Sequence, residues 1–190
     1  MAWPSSLQVA LKEWDTVCTA LAHGRQIILL RKGGIYEEAG EFRLENREFL
    51  LFPTFLHQTL KGLKPEAHAT YSPLNEEPRI VRLAAAGVVT DIVKLASRAQ
   101  MDAIDDEHIW GTPLIDMRFS YRPENPLYLM LVRAYRLHTP VIIDNSPAYE
   151  GCKSWVPLDQ AVQTGDALPV LDDVKYEHRK KAILERIAGK

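Results

Sequence analysis

Apolar residues recur at three- and four-residue steps through Leu7, Leu11, Trp14, Val17, Cys18 and Leu21, the spacing of one stripe along a helix. Ser5 or Ser6 can cap its start and Gly24 can close it as the C′ residue, so the pattern predicts a helix over about Leu7–His23. The period then changes. Ile27–Leu30 is continuously apolar within Gln26–Arg31, as expected of a central or barrel strand buried on both faces. Phe49–Phe52 repeats that pattern and is stopped by Pro53. The stretch TFLHQTLKGL reads as a short helix, and the three prolines of KPEAHATYSPLNEEP mark a long surface connection.

Arg79–Leu95 mixes strand formers (Val, Ile, Thr) with the helix-favouring Leu83-Ala84-Ala85-Ala86. Two strands are predicted there, with Gly87 at a bulge or turn between them. One or two helical turns are expected around Pro113. Leu127–Val132 is the clearest strand, and Pro140 separates it from a second short strand at Val141–Ile143. A loop then delivers Trp155, and a helix rich in Lys and Arg covers Val174–Ala188. Regular β-α-β alternation is missing, which argues against a doubly wound parallel sheet. The expected fold is α+β: a small, mixed, mostly antiparallel β-barrel or curled sheet flanked by N- and C-terminal helices. The length suits one domain over residues 1–190, with its core at about 7–158 and a C-terminal linker and basic helix at 159–190.

Composition narrows the function classes. Hydrophobic residues make up 46% and charged residues 25% of the chain, ordinary for a globular protein with a buried core. The net charge of -2 gives no global basic field, so any nucleic-acid site has to be a local patch. No apolar run reaches the length of a membrane span, and the start MAWPSSLQVALKEW lacks a signal-peptide pattern. Cys18 and Cys152 are far apart, against a disulfide scaffold or a structural zinc site. A cytoplasmic protein without membrane partners or cofactors is expected.

No glycine-rich dinucleotide or phosphate-loop fingerprint, no His-Glu-x-x-His and no Gly-x-Ser-x-Gly occurs. The six histidines are scattered, and no metal site is expected. Four stretches carry candidate chemistry. In Arg31-Lys32-Gly33-Gly34, a glycine pair can turn amides toward an anion beside two cations; the alternative is a tight turn whose cations pair with Glu37, Glu38 or Glu41. In FLLFPTFLHQ, Phe52 offers a ring face while His57 and Gln58 offer donors and acceptors, the means of holding an unstacked base; the alternative is aromatic core packing. Trp110, Arg118 and Arg122 interleave cations with aromatics as a stacking platform does, unless Arg118 and Arg122 pair with Asp116 and Glu124 over a buried Trp110. Lys153 and Trp155 could wall the same pocket, with Trp155 alternatively a core lid. The tail cations Lys175, Arg179, Lys180, Lys181 and Arg186 read as a solvated helix face beside an Ile183/Ile187 stripe.

Several of these stretches resemble a known family. ALKEW (Ala10–Trp14), LLRKGGI (Leu29–Ile35), FLLFPTFLHQ, PLYLMLVRAYRL (Pro126–Leu137) and GCKSW (Gly151–Trp155) are similar to the bacterial domain of unknown function 1802. That resemblance implies no assigned activity or catalytic residue. It implies an association with restriction–modification systems, because a restriction-endonuclease domain accompanies some members. A strand followed by YRLHTPVII is also similar to the closing strands of PUA-like (ASCH/EVE-type) barrels, on which modified-base readers are built.

The residues therefore predict a binding module for nucleic acid or a modified nucleobase, rather than an enzyme. Arg31 and Lys32 would meet phosphate, Phe52, Trp110 and Trp155 would stack on a base, and His57, Gln58, Arg118 and Arg122 would read edges or neutralise the backbone, with Lys153 in the pocket wall beside Trp155. One alternative is a metal-dependent nuclease using Asp91, Lys94 and acids from Glu37 to Glu48. Asp91 and Lys94 stand three apart, so on one strand they face opposite ways. Another is an interaction subunit whose exposed aromatics dock a partner protein.

Overall fold

A computed structural model describes residues 3–32, 35–38, 41–151 and 153–189, excluding the side chains of 35–38 and 41–43. The predicted Gly33-Gly34 turn, Cys152 and the Glu37, Glu38 and Glu41 carboxylates thus lie outside the described residues. In chain order the elements are β1 (Ser6–Trp14), α1 (Asp15–Ala22), β2 (Ile28–Arg31), β3 (Ile35–Glu38), β4 (Glu41–Leu44), β5 (Glu48–Thr54) and β6 (Ile80–Leu95). There follow α2 (Arg98–Asp102), α3 (Thr112–Ser120), β7 (Leu127–Asp144), β8 (Trp155–Gln163), β9 (Leu168–Pro169) and α4 (Asp173–Ile187).

Six strands pair in the order β2-β7-β6-β5-β1-β8, with β9 added on β7, and β3 and β4 form a separate hairpin. Among the described residues only β1 and β5 run parallel, and the other pairings are antiparallel. The sheet is mixed, mostly antiparallel and open, and helices complete the expected α+β class.

Both faces of the sheet are covered. On one, α1 and α4 join residues such as Leu11, Leu29, Phe49 and Leu131 in a large core that includes Val17, Leu21, Tyr176 and Ile183. On the other, the curl of the sheet encloses a second core of Ala10, Leu50, Phe52, Leu83, Leu137, Tyr149 and Val156. Strands buried on both sides lose the polar half of their alternation, as Ile27–Leu30 and Leu127–Val132 do.

Four local expectations are corrected. The predicted helix over Leu7–His23 is a strand followed by a two-turn helix. A register shift between Leu7 and Val9 breaks the two-residue period, so a strand with a bulge mimics helical spacing. Gly24, at φ 68°, does close the helix. The short helix expected in TFLHQTLKGL shrinks to a single turn at Leu60–Gly62.

The two strands expected in Arg79–Leu95 are one continuous strand. Gly87 is no turn: a Cβ there would lie 2.6 Å from Val132 Cγ1, so the glycine makes room for a neighbouring strand's side chain. Likewise Pro140 sits inside β7, where the register jumps from Leu83↔Val141 to Ala85↔Arg136. The extra residues of that bulge accommodate a proline without breaking the strand.

Candidate functional site

The site begins with one face of β1. Leu11 and Glu13 are two residues apart and point the same way, and Leu11 stands in register with Trp155 of β8. Glu13 is therefore carried into the helix-side core at the end of the strand, where its side chain is only 6% exposed. A carboxylate sealed there needs partners. Its Oε1 accepts the Trp14 N–H at 2.8 Å, and its Oε2 lies 3.0 Å from Arg31 Nη2. Arg31, at the end of β2 and 13% exposed, also donates to the Lys12 carbonyl at 3.0 Å. Its Nε is buried with no hydrogen-bond partner.

A second guanidinium approaches from α3. Burial lowers the pKa of Arg118; Glu13 opposes that shift and the Arg31 charge adds to it. Among the described residues Arg118, half-buried, makes no hydrogen bond or ion pair. Two guanidiniums thus share one carboxylate that is already committed to Arg31. The trio carries a net charge of +1, incompletely neutralised and partly desolvated. Such a group binds anions strongly, because a planar fork with free N–H donors meets carboxylate or phosphate in two parallel bonds.

Aromatic rings lie on the same side of the sheet. Trp155 packs edge-on against Phe49, with centroids 5.4 Å apart, and both Trp155 and Phe119 lie along the helix-side core. Cys18 also lies here, its thiol donating toward the Glu13 carbonyl at 3.7 Å. Burial first, and then Glu13 and Asp15, raise its pKa well above the usual thiol value, so it is no nucleophile.

Arg31 and Arg118 are therefore brought to the same Glu13 carboxylate, and Trp155 lies on the same side of the sheet, opposite Leu11. Lys32 stands next to them in a supporting role. Its ammonium donates to the carbonyls of Phe119 and Arg122, at 3.4 and 3.1 Å, and to that of Tyr121. These carbonyls lie at and just beyond the end of α3, so Lys32 fixes the helix that presents Arg118.

The other expected residues lie elsewhere. Phe52, 1% exposed, is on the opposite face, edge-on to Tyr149 and beneath Lys12. Trp110 is buried at 4% beside His108. Gln58 is likewise buried at 4%; it accepts from Thr16 and donates to the Ser72 carbonyl at 2.9 Å. Core packing and internal hydrogen bonds occupy all three. His57, Arg122 and Lys153 are on the surface, Arg122 with its guanidinium over the Tyr121 ring.

Neither pairing expected for the two predicted cations forms. Asp116 meets Arg98 instead of Arg118. On α4 the basic face is largely engaged with the body of the protein: Arg179 holds Glu107 and two backbone carbonyls, Arg186 holds Asp106, and Lys180 lies 3.4 Å from Asp91. That last contact also takes up the carboxylate on which the nuclease alternative depends. Among the described residues no group of three His, Cys, Asp or Glu is placed to hold a metal ion.

Glu13 was not legible as a site residue. Reading its segment as a helix placed it off the apolar stripe, whereas reading a strand puts a carboxylate on the buried face next to Leu11, which is the signal that would have found it.

Comparison with known proteins finds similar solved structures and a family. Two crystal structures of mutants of ZmASCH from Zymomonas mobilis are similar, each at 12% identity. One gives a TM-score of 0.47 over 80% of this chain and 90% of that one; the other gives 0.44 over 96% and 99%. No curated protein matches the sequence. The domain of unknown function DUF1802 matches residues 10–182, and the chain belongs to that family. Among the described residues, no helix is long and apolar enough to cross a membrane.

Proposed function

We propose that this protein is a binding module for a phosphate-bearing ligand, a nucleotide or a nucleic-acid strand, seated on Arg118 and Arg31 with Trp155 as its aromatic wall. The observation that carries the reading is the Arg118 guanidinium, held on a helix in a partly desolvated place and, among the described residues, without a hydrogen bond or ion pair. Desolvating a cation without a partner is unfavourable to the fold, so its retention favours an external anion. Glu13 holds Arg31 in place and limits the positive charge. A modified base on such a strand would lie against Trp155, the kind of ligand that the sequence resemblance implies. In a restriction–modification or defence setting the module would hold the strand on which another subunit acts.

Binding of short single-stranded and duplex DNA and RNA, measured by fluorescence anisotropy across a salt series, tests this. Affinity should fall with a constant slope of log K against log salt, and Arg118→Ala should flatten that slope by roughly 0.7–0.9, the value of one phosphate contact. Absence of binding across the panel, or binding indifferent to salt, would overturn the reading.

A further inference from the structure

A cleft lies at the end of the other core. Glu48 and Leu50 project from one face of β5, and Arg133, Tyr135 and Leu137 from one face of β7, because alternate residues share a side. The register agrees: Leu50 and Tyr135 both stand opposite Ala86, and Glu48 and Arg133 both stand opposite Val88. Leu50 and Leu137 fill the second core. Glu48, Arg133 and Tyr135 continue their rows beyond it and, with Trp3, Arg47 and Thr90, line an open cleft of about 250 Å³.

Its walls are built rather than incidental. Trp3 stacks on Tyr135 with centroids 3.8 Å apart and planes 19° from parallel, and its indole N–H is tied to the Thr164 carbonyl at 2.7 Å. Arg133 lies over the Tyr135 ring and is anchored by Asp173. Arg47 donates to the carbonyls of Val89 and Thr90, which fixes its fork at the rim. Glu48 is the exception. Although it shares the cleft with two arginines, its carboxylate makes no hydrogen bond or ion pair among the described residues.

A stacked aromatic wall, two guanidiniums and an uncommitted carboxylate define a flat ligand with a double-donor edge beside an acceptor edge. We infer that this cleft binds a guanine base. Its N1–H and 2-amino group would both donate to Glu48, while O6 and N7 would accept from an arginine fork, the pairing arginine makes with guanine in nucleic-acid complexes. Adenine, cytosine and uracil lack two adjacent donors. The arginine side chain of a peptide has them, but Arg47 and Arg133 would repel its charge. The volume is below the roughly 300–1,000 Å³ of pockets for drug-sized ligands, which suits one ring system.

Nucleosides carry no phosphate, so the test is separate from that of the anion site. Titration calorimetry and tryptophan fluorescence would follow guanosine, inosine, adenosine and arginine amide against the wild type and Glu48→Gln. Guanosine should bind saturably, and inosine, which lacks the 2-amino group, at least about fivefold more weakly, the lower end of one bidentate contact. Glu48→Gln should lose a similar factor for guanosine. If that variant fails to fold, the guanosine–inosine comparison on the wild type still decides. No guanosine binding at millimolar concentration, equal affinity for inosine or adenosine, or tighter binding of arginine amide overturns the inference, whether or not oligonucleotides bind.

Discussion

Replacing Glu13 with Gln keeps the shape of the side chain and removes the one negative charge of the Arg31–Glu13–Arg118 trio. The carboxylate serves two donors at once, the Trp14 N–H and the Arg31 guanidinium. An amide has one acceptor oxygen for them, and its NH₂ must then face a donor. Breaking a buried ion pair from one side costs about 3–5 kcal/mol, because the remaining charge is left unpaired. Here two guanidiniums are left, so the upper part of that range is expected. For a chain of this size each kcal/mol corresponds to about 2–4 °C, so the melting temperature should fall by roughly 8–20 °C.

Thermal melts followed by circular dichroism, paired with urea titrations, would measure the loss. Adding Arg118→Met to Glu13→Gln should recover about 1 kcal/mol or more, since one of the two uncompensated charges disappears. A Glu13→Gln variant within about 1 kcal/mol of the wild type, or a double variant no better than the single one, would refute the view of the trio as buried, mutually dependent charge.

Three further outcomes follow from the same structure. Arg118→Met alone, which keeps the apolar stem and removes the cation, should leave stability unchanged or raise it by about 1 kcal/mol while ligand binding weakens and its salt slope flattens; destabilisation by urea titration would mean that Arg118 serves the fold. Gly87→Ala drives a methyl group to within 2.6 Å of Val132 Cγ1, and should cost about 1–3 kcal/mol by overpacking; an unchanged urea midpoint would contradict the close approach of β6 and β7. His108 is buried with neither ring nitrogen hydrogen-bonded, and burial, reinforced by Lys64, lowers its pKa from 6.5 to about 4 despite the opposing Asp105. Its contribution is therefore complete above pH 6.5 and is lost as pH falls toward 4, with a slope of up to about 1.4 kcal/mol per pH unit. His108→Phe should flatten stability against pH across that window, and an unaltered slope would show that the ring protonates freely in the folded state.

Much of the fold was legible where one physical signal dominated. Ile27–Leu30 and Phe49–Phe52 are apolar on both faces because both faces of the sheet are covered, and a continuous run reports that directly. The terminal helix announced itself by its Ile183/Ile187 stripe. The stretch before Trp14 was not legible, since a bulge between Leu7 and Val9 gives a strand the spacing of a helix. Gly87 and Pro140 look like interruptions in one dimension, and only the neighbouring strand shows that one makes space and the other occupies a bulge.

The site divides the same way. Arg31 and Arg118 stood out as cations, and Trp155 as a ring that served equally well as a core lid. Phe52 and Trp110 stood out equally, and nothing local separates an aromatic that walls a ligand from one that fills an interior. Lys32 holds carbonyls that lie 87 to 90 positions away, a partnership set by tertiary structure alone.

The central claim is that Arg118 is held open for an anion from outside the chain. It is tested most directly by following the Arg118 side-chain Nε–Hε resonance by NMR while a short phosphorylated oligonucleotide is added at constant ionic strength. The account predicts a saturable shift at Arg118, accompanied by Arg31 and the Trp155 indole, at the concentrations where anisotropy reports binding. Saturation of binding with those three resonances unmoved would contradict it.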